Sequence, residues 1–169
     1  MNWSQHRKQL RSLLAPELRK RIDFHVTSYR PSTHHGEAWI TVDGKRVFSA
    51  GYYKWENALE KEIVCTGEVR YPLYSPWFPS PPSFPRSAQN VSDRGIYETS
   101  FFLESLKEYL ETPLKRALES TNPLIRAVAM LDRRLGRRRF ATLKVQESDS
   151  EIVKLFYTLR AAIFKPAKA

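Results

Sequence analysis

The chain has 169 residues, 41% of them apolar and 27% charged, and a formal net charge of +10. This length and apolar fraction suit one folded domain with a real core and exclude a disordered chain. A lone cysteine, Cys65, excludes an internal disulfide and fits a reducing cytoplasm. No stretch reaches membrane-spanning length, and residues 1–8 carry no apolar signal core, so no membrane association is expected.

The positive charge is concentrated at two places. Residues 1–30 carry seven Lys/Arg against two acids, residues 31–112 eight against eleven, and residues 113–139 eight against two. Two basic segments around a mildly acidic middle predict a polyanion-facing surface if folding brings them together.

Residues 2–14 read as a helix, with Trp3, Leu10, Leu13 and Leu14 near one face. Pro16 suits the first turn of a short helical piece that includes Glu17–Arg21. Ile22, Phe24 and Val26 then alternate with Asp23, His25 and Thr27, the pattern of a strand with one buried face. After a loop at residues 30–36, strands Glu37–Val42 and Lys45–Ala50 flank Asp43-Gly44. That dipeptide favours a type I′ turn because both positions require positive φ. A tight two-residue turn sets Ile40 opposite Val47 and Trp39 opposite Phe48. Tyr53–Val64 reads as a helix.

Tyr71–Ser87 holds six of the eleven prolines, which exclude regular helix or strand interiors. Tyr71, Tyr74, Trp77, Phe78 and Phe84 are interleaved with them. Flexible linkers have few aromatics, so the segment reads as an ordered loop and a candidate protein-interaction surface. Ile96–Glu111 is expected to be helical. Thr112-Pro113 and Asn122-Pro123 are two similar helix starts, each a capping residue followed by proline at the first helical position. Glu151–Phe164 is the last predicted helix, with Ile152, Phe156, Leu159 and Ile163 inward.

The segment Asn122–Arg139 joins an apolar helix face to the densest positive charge in the chain. Leu124, Val128, Leu131 and Leu135 share one sector, and Gly136 is placed to end the helix in the left-handed conformation. Arg126, Arg133 and Arg137 fall on the opposite side, and Arg138 and Arg139 follow. Positive charge near a helix C-terminus has a structural explanation through the macrodipole. Three further arginines past Gly136 exceed that need. Arg126, Arg133, Arg137, Arg138 and Arg139 are therefore the candidate polyanion-binding residues, since the guanidinium fork matches phosphate oxygens. Asp132 lacks a basic partner three or four residues away and is expected to pair across the fold with one of these arginines.

No motif for a catalytic nucleophile, a nucleotide-binding loop or a metal site stands out, so no catalytic residue, cofactor or metal is expected. Asp23 with Asp43-Gly44-Lys45 loosely resembles the carboxylate–lysine pattern of metal-dependent nucleases, but Asp43-Gly44 is explained as the turn itself. The order helix, strand, strand, strand, helix over residues 1–64 resembles the double-stranded-RNA-binding domain. In that family the loop between the first two strands and the start of the second helix meet RNA. Here Tyr52-Tyr53-Lys54-Trp55-Glu56-Asn57 stands where the family carries a lysine cluster. Residues 21–30 and 39–45, Asn122–Arg139 and Phe156–Arg160 resemble the signature stretches of a family of short bacterial proteins catalogued as uncharacterised. This resemblance covers most of the chain and implies a bacterial cytoplasmic protein with no catalytic residues to carry over.

Together these readings give one α+β domain over 1–169. Its parts are a helix-strand-strand-strand-helix unit at 1–64, a proline- and aromatic-rich loop at 65–95 and a helical part at 96–169. Its small three-stranded antiparallel sheet is packed with the N-terminal helices and the helical C-terminal half. Ile22, Phe24, Val26, Ile40, Val47, Leu59, Leu106, Leu124, Val128, Leu131, Phe156 and Leu159 are the predicted core. The expected function is non-enzymatic binding of nucleic acid or another polyanion. A protein partner for the 71–87 loop is the alternative, and a metal-dependent nuclease is the third reading.

Overall fold

The computed structural model describes residues 2–30, 35–68 and 85–164. Helix α1 (Trp3–Leu13) starts at Asn2, whose side chain accepts from the Gln5 N–H at 3.4 Å. A single 3-10 turn, Pro16–Leu18, leads into β1 (Ile22–Arg30), β2 (His35–Val42) and β3 (Lys45–Gly51). These form one antiparallel sheet in the order β1-β2-β3. Then come α2 (Tyr52–Thr66), α3 (Pro85–Asp93), α4 (Thr99–Glu111), α5 (Leu114–Leu118), α6 (Pro123–Met130), α7 (Arg137–Phe140) and α8 (Glu151–Phe164). The α+β reading holds.

The Asp43-Gly44 turn forms as expected, with φ of 50° and 78°. The register beyond it differs from a plain hairpin. Thr41 pairs with Arg46, but Ile40 pairs with Phe48 and Trp39 with Ser49, so Val47 is the extra residue of a bulge. The bulge turns Phe48 to the core face beside Phe24 and Ile40, where all three are buried. Without it Phe48 would face out with Trp39. Burying a phenylalanine contributes about 1.5–3 kcal/mol, and that gain opposes the local loss of a ladder position.

The inner sheet face packs on α1 and α4 through Leu10, Phe102 and Leu106 in one continuous core that also holds α6 and α8. Of the twelve predicted core residues, Val26, Val47 and Leu159 are half-buried and the rest are buried. The outer face presents His25 stacked on Trp39, ring centroids 5.1 Å apart, with the Arg46 guanidinium 4.1 Å over the indole. A second small cluster joins α2 to α3 through Leu59, Ile63, Trp55 and Ala88. Residues 85–93 of the predicted loop are thus a helix, opened by Pro85 at its first position, where a proline lacks no bond.

Two expectations in the C-terminal half are corrected. Thr112 ends α4 and does not cap α5. Its hydroxyl donates back to the Glu108 carbonyl, and Pro113 occupies the α5 cap position. Asn122 does cap α6, accepting from Leu124 N and Ile125 N. However, α6 stops at Met130, and Gly136 has φ −75°, ψ 160°, the extended cap that starts α7. The segment 122–139 is therefore two helices separated by a bend, with Leu131 and Leu135 both buried at that bend.

Candidate functional site

The bend between α6 and α7 has a definite cause. Past Met130 the chain pairs with the exit of α1: Ala15 N–H donates to Leu131 O at 2.9 Å, and Arg133 N–H donates to Leu13 O at 2.7 Å. This short bridge joins the N-terminal basic segment to the arginine-rich one. Arg19, on the N-terminal side, donates to the carbonyls of Ser12 and Leu14, beside the bridge.

Asp132 lies under the bend and is fully buried. It pairs with Arg134, two residues on, and not with an arginine across the fold. Its carboxylate accepts from Arg134 N at 2.7 Å, from Arg134 Nε at 3.0 Å and Nη2 at 2.6 Å, and from the Tyr109 hydroxyl at 2.6 Å. Burial alone would raise the Asp132 carboxyl. The hydrogen bonds from Arg134 and Tyr109 outweigh burial and hold it below the ordinary carboxylate range. Burial and the same carboxylate push the Tyr109 phenol well up, so it stays a donor. Arg160, also buried, donates Nη2 to Leu135 O at 2.6 Å while its Nε has no hydrogen-bond partner among the described residues. Burial lowers its affinity for the proton, against the pull of Glu17 and Asp132. Neither Tyr109 nor Arg160 stood out in the sequence. Each sits at an inward position of its helix, and for Arg160 that periodicity is the one available signal.

The five candidate arginines divide. Arg126 is half-buried and bound to Asp149, with Nη2–Oδ2 at 3.1 Å, and donates to Lys144 O. Arg137 is exposed and donates to Phe164 O. Arg133, Arg138 and Arg139 are exposed and have no acidic partner among the described residues. The bend thus separates Arg126 on α6 from Arg133 and Arg137, which a continuous helix would have placed on the same face as Arg126. Asp23 and Asp43, the two acids of the nuclease-like pattern, are occupied by Arg7 with Arg11 and by Arg21 respectively. Tyr71, Tyr74, Trp77, Phe78 and Phe84 lie outside the described residues. The flanks of that segment are joined: Thr66 and Ser87 hydroxyls are 2.8 Å apart, and Ser87 N–H donates to Glu68 at 3.1 Å.

Elsewhere a two-lobed cleft opens between the β3 edge, the residues after α3 and the start of α8. One lobe, about 530 Å³, is walled by Arg46, Phe48 and Arg94. The other, about 460 Å³, is walled by Ser92, Thr121 and Arg126. Asp93, Tyr97, Ser148, Asp149 and Ser150 line both.

No helix among the described residues is long and apolar enough to cross a membrane. No curated protein matches the chain, and no solved structure does. A family model described as the SF0329 protein family matches residues 2–161. That span takes in the sheet, the arginine bend and nearly all of α8, and the chain belongs to the SF0329 protein family.

Proposed function

We propose that this is a non-enzymatic polyanion-binding protein of the bacterial cytoplasm whose partner is nucleic acid, met by Arg133, Arg137, Arg138 and Arg139. The observation that carries this reading is the bridge between Leu13–Ala15 and Leu131–Arg133, which sets the two basic segments of the chain side by side. Folding explains Arg126 and Arg134, since each answers a buried or half-buried aspartate. It does not explain three exposed arginines left without acids. Guanidinium contacts to phosphates release counterions and carry no sequence information, so binding through them is sequence-tolerant.

The test is fluorescence anisotropy with a labelled DNA duplex and a labelled single-stranded RNA across a salt series. Affinity should fall with salt, and replacing Arg133, Arg138 and Arg139 by Ala should flatten the log–log slope by about 2–3, from roughly 0.7–0.9 per lost phosphate contact. The triple lysine variant should keep most of the slope. An unchanged slope in the alanine variant, or no binding by the wild type at low salt, refutes the proposal.

A further inference from the structure

The outer face of the sheet serves neither the core nor the arginine bend. Asp23, His25 and Thr27 on β1, Glu37, Trp39 and Thr41 on β2, and Arg46 and Ser49 on β3 lie opposite the buried Phe24, Ile40 and Phe48. Thr27, Glu37, Arg46 and Ser49 are exposed, and His25, Trp39 and Thr41 are half-buried. The middle of the central strand thus holds a large aromatic ring at the surface.

The two neighbouring strands treat that indole differently. From β1, the His25 ring lies nearly parallel to it, with 7° between the planes and 5.1 Å between centroids. The imidazole is itself hydrogen-bonded, its Nε2 3.0 Å from Thr41 Oγ1, and so forms a fixed backing. On β3 the residue opposite Trp39 is Ser49, too small to cover the ring. The Arg46 guanidinium reaches the indole from beside Thr41, with Cζ 4.1 Å from the ring centroid. The bulge at Val47 makes this possible, because it lets Arg46 face out while Phe48, two residues on, faces in.

This cation is lightly held. Its ion pair with Glu37 is 3.3 Å long, and the two side chains are 54% and 48% exposed. A pair this exposed contributes little and is screened by salt. A flat ring laid on the indole in place of the guanidinium gains stacking, and it releases the guanidinium to an anion beside the ring. Arg46 and Ser49 also line the cleft lobe of about 530 Å³, so the β3 edge beside the indole opens onto room for a nucleotide. Both acids of the face are answered by arginines, Asp23 by Arg7 and Arg11 and Glu37 by Arg46. Arg7 and Arg11 belong to α1, the helix whose exit carries the bridge to the arginine bend.

We propose that the outer sheet face is a stacking platform for an unpaired base of single-stranded nucleic acid. The base lies on Trp39, His25 backs the indole, and Arg46 turns to the adjoining phosphate. In a duplex the base faces are covered by their neighbours, so only a single strand can use such a platform. The proposal rests on the nucleic-acid reading for the class of partner and adds the single-stranded form.

The experiment is a fluorescence anisotropy titration of the full chain with a labelled oligothymidylate and with a labelled DNA duplex of the same length. Trp39→Leu should weaken the single strand by roughly 5- to 150-fold, the worth of one stacked base, and leave the duplex affinity unchanged. Trp39→Phe keeps a ring and should recover most of that loss, and thermal unfolding by circular dichroism checks that both variants fold. Arg46→Ala should flatten the single-strand salt slope by about 0.7, one phosphate contact. In NMR the Trp39 indole N–H should shift with the oligothymidylate and not with the duplex. Thymidine monophosphate, with one ring and no strand, should bind far more weakly than the oligomer. The Arg133/Arg138/Arg139 alanine variant should keep the Trp39 shift while losing slope with both probes, so platform and bend succeed or fail separately. Equal losses for strand and duplex in Trp39→Leu, an unmoved Trp39 resonance, or monophosphate binding as tight as that of the oligomer would overturn the proposal.

Discussion

Replacing Asp132 by Ala tests how the arginine bend is held. The substitution strands the buried Tyr109 hydroxyl, at a cost of about 1–3 kcal/mol, and takes a charge-assisted bond from the Arg134 N–H, about 1.5–3 kcal/mol. The Arg134 guanidinium is 47% exposed and re-solvates readily, so its ion pair adds at most about 1 kcal/mol. Water entering the space left behind offsets part of the loss, and a total of about 3–5 kcal/mol is expected. At this chain length that lowers Tm by roughly 6–20 °C. Urea unfolding of both proteins at pH 7 and in acid measures it. The Asp132 carboxyl is held below its unfolded value in the native state, so its contribution is complete above the ordinary aspartate pKa and fades as pH falls through the depressed one. The gap between wild type and variant should therefore narrow below about pH 4. A loss under about 1 kcal/mol at pH 7, or an equal gap in acid, would show that Asp132 is not the anchor described.

Two further substitutions probe the local signals on which the fold rests. Asn122→Ala removes the cap of α6 and the Asn122 bond to Ser105 Oγ at 2.8 Å, and should cost about 1–2 kcal/mol in chemical denaturation. A loss within error would mean that α6 is held by core packing alone. Gly44→Ala meets no neighbour within 4 Å, so any loss comes from its φ of +78° and not from crowding. About 1 kcal/mol is expected, and a stabilised variant would contradict the turn geometry.

What the sequence made legible is local. The β1 alternation, the Asp43-Gly44 turn and the Asn122 cap each depend on a few neighbouring residues, and each is where periodicity and turn chemistry put it. The bulge at Val47 was not legible, because it is decided by the core's gain from Phe48. The end of α6 was hidden for a related reason. Leu131 and Leu135 keep the helical apolar spacing because both are buried, although the backbone between them turns to pair with Leu13–Ala15. Gly136 looked like a stop signal and is a start, since nothing local separates a left-handed glycine from an extended one. The cleft was invisible at this level. Tyr97 and Ser150 come from separate segments that only the fold brings to one wall.

The bridge between Leu14 and Asp132 also bears on the order in which the surface comes to exist. Its two partners lie far apart in sequence, at residues 14 and 132, so closing it confines a very long loop, and such contacts form late. During synthesis the N-terminal basic segment emerges first and waits for its counterpart. A nascent or truncated chain ending before Arg133 carries charge without the assembled surface. On the proposed reading, polyanion binding would then report completed folding, with the later-made segment acting as the gate on the first.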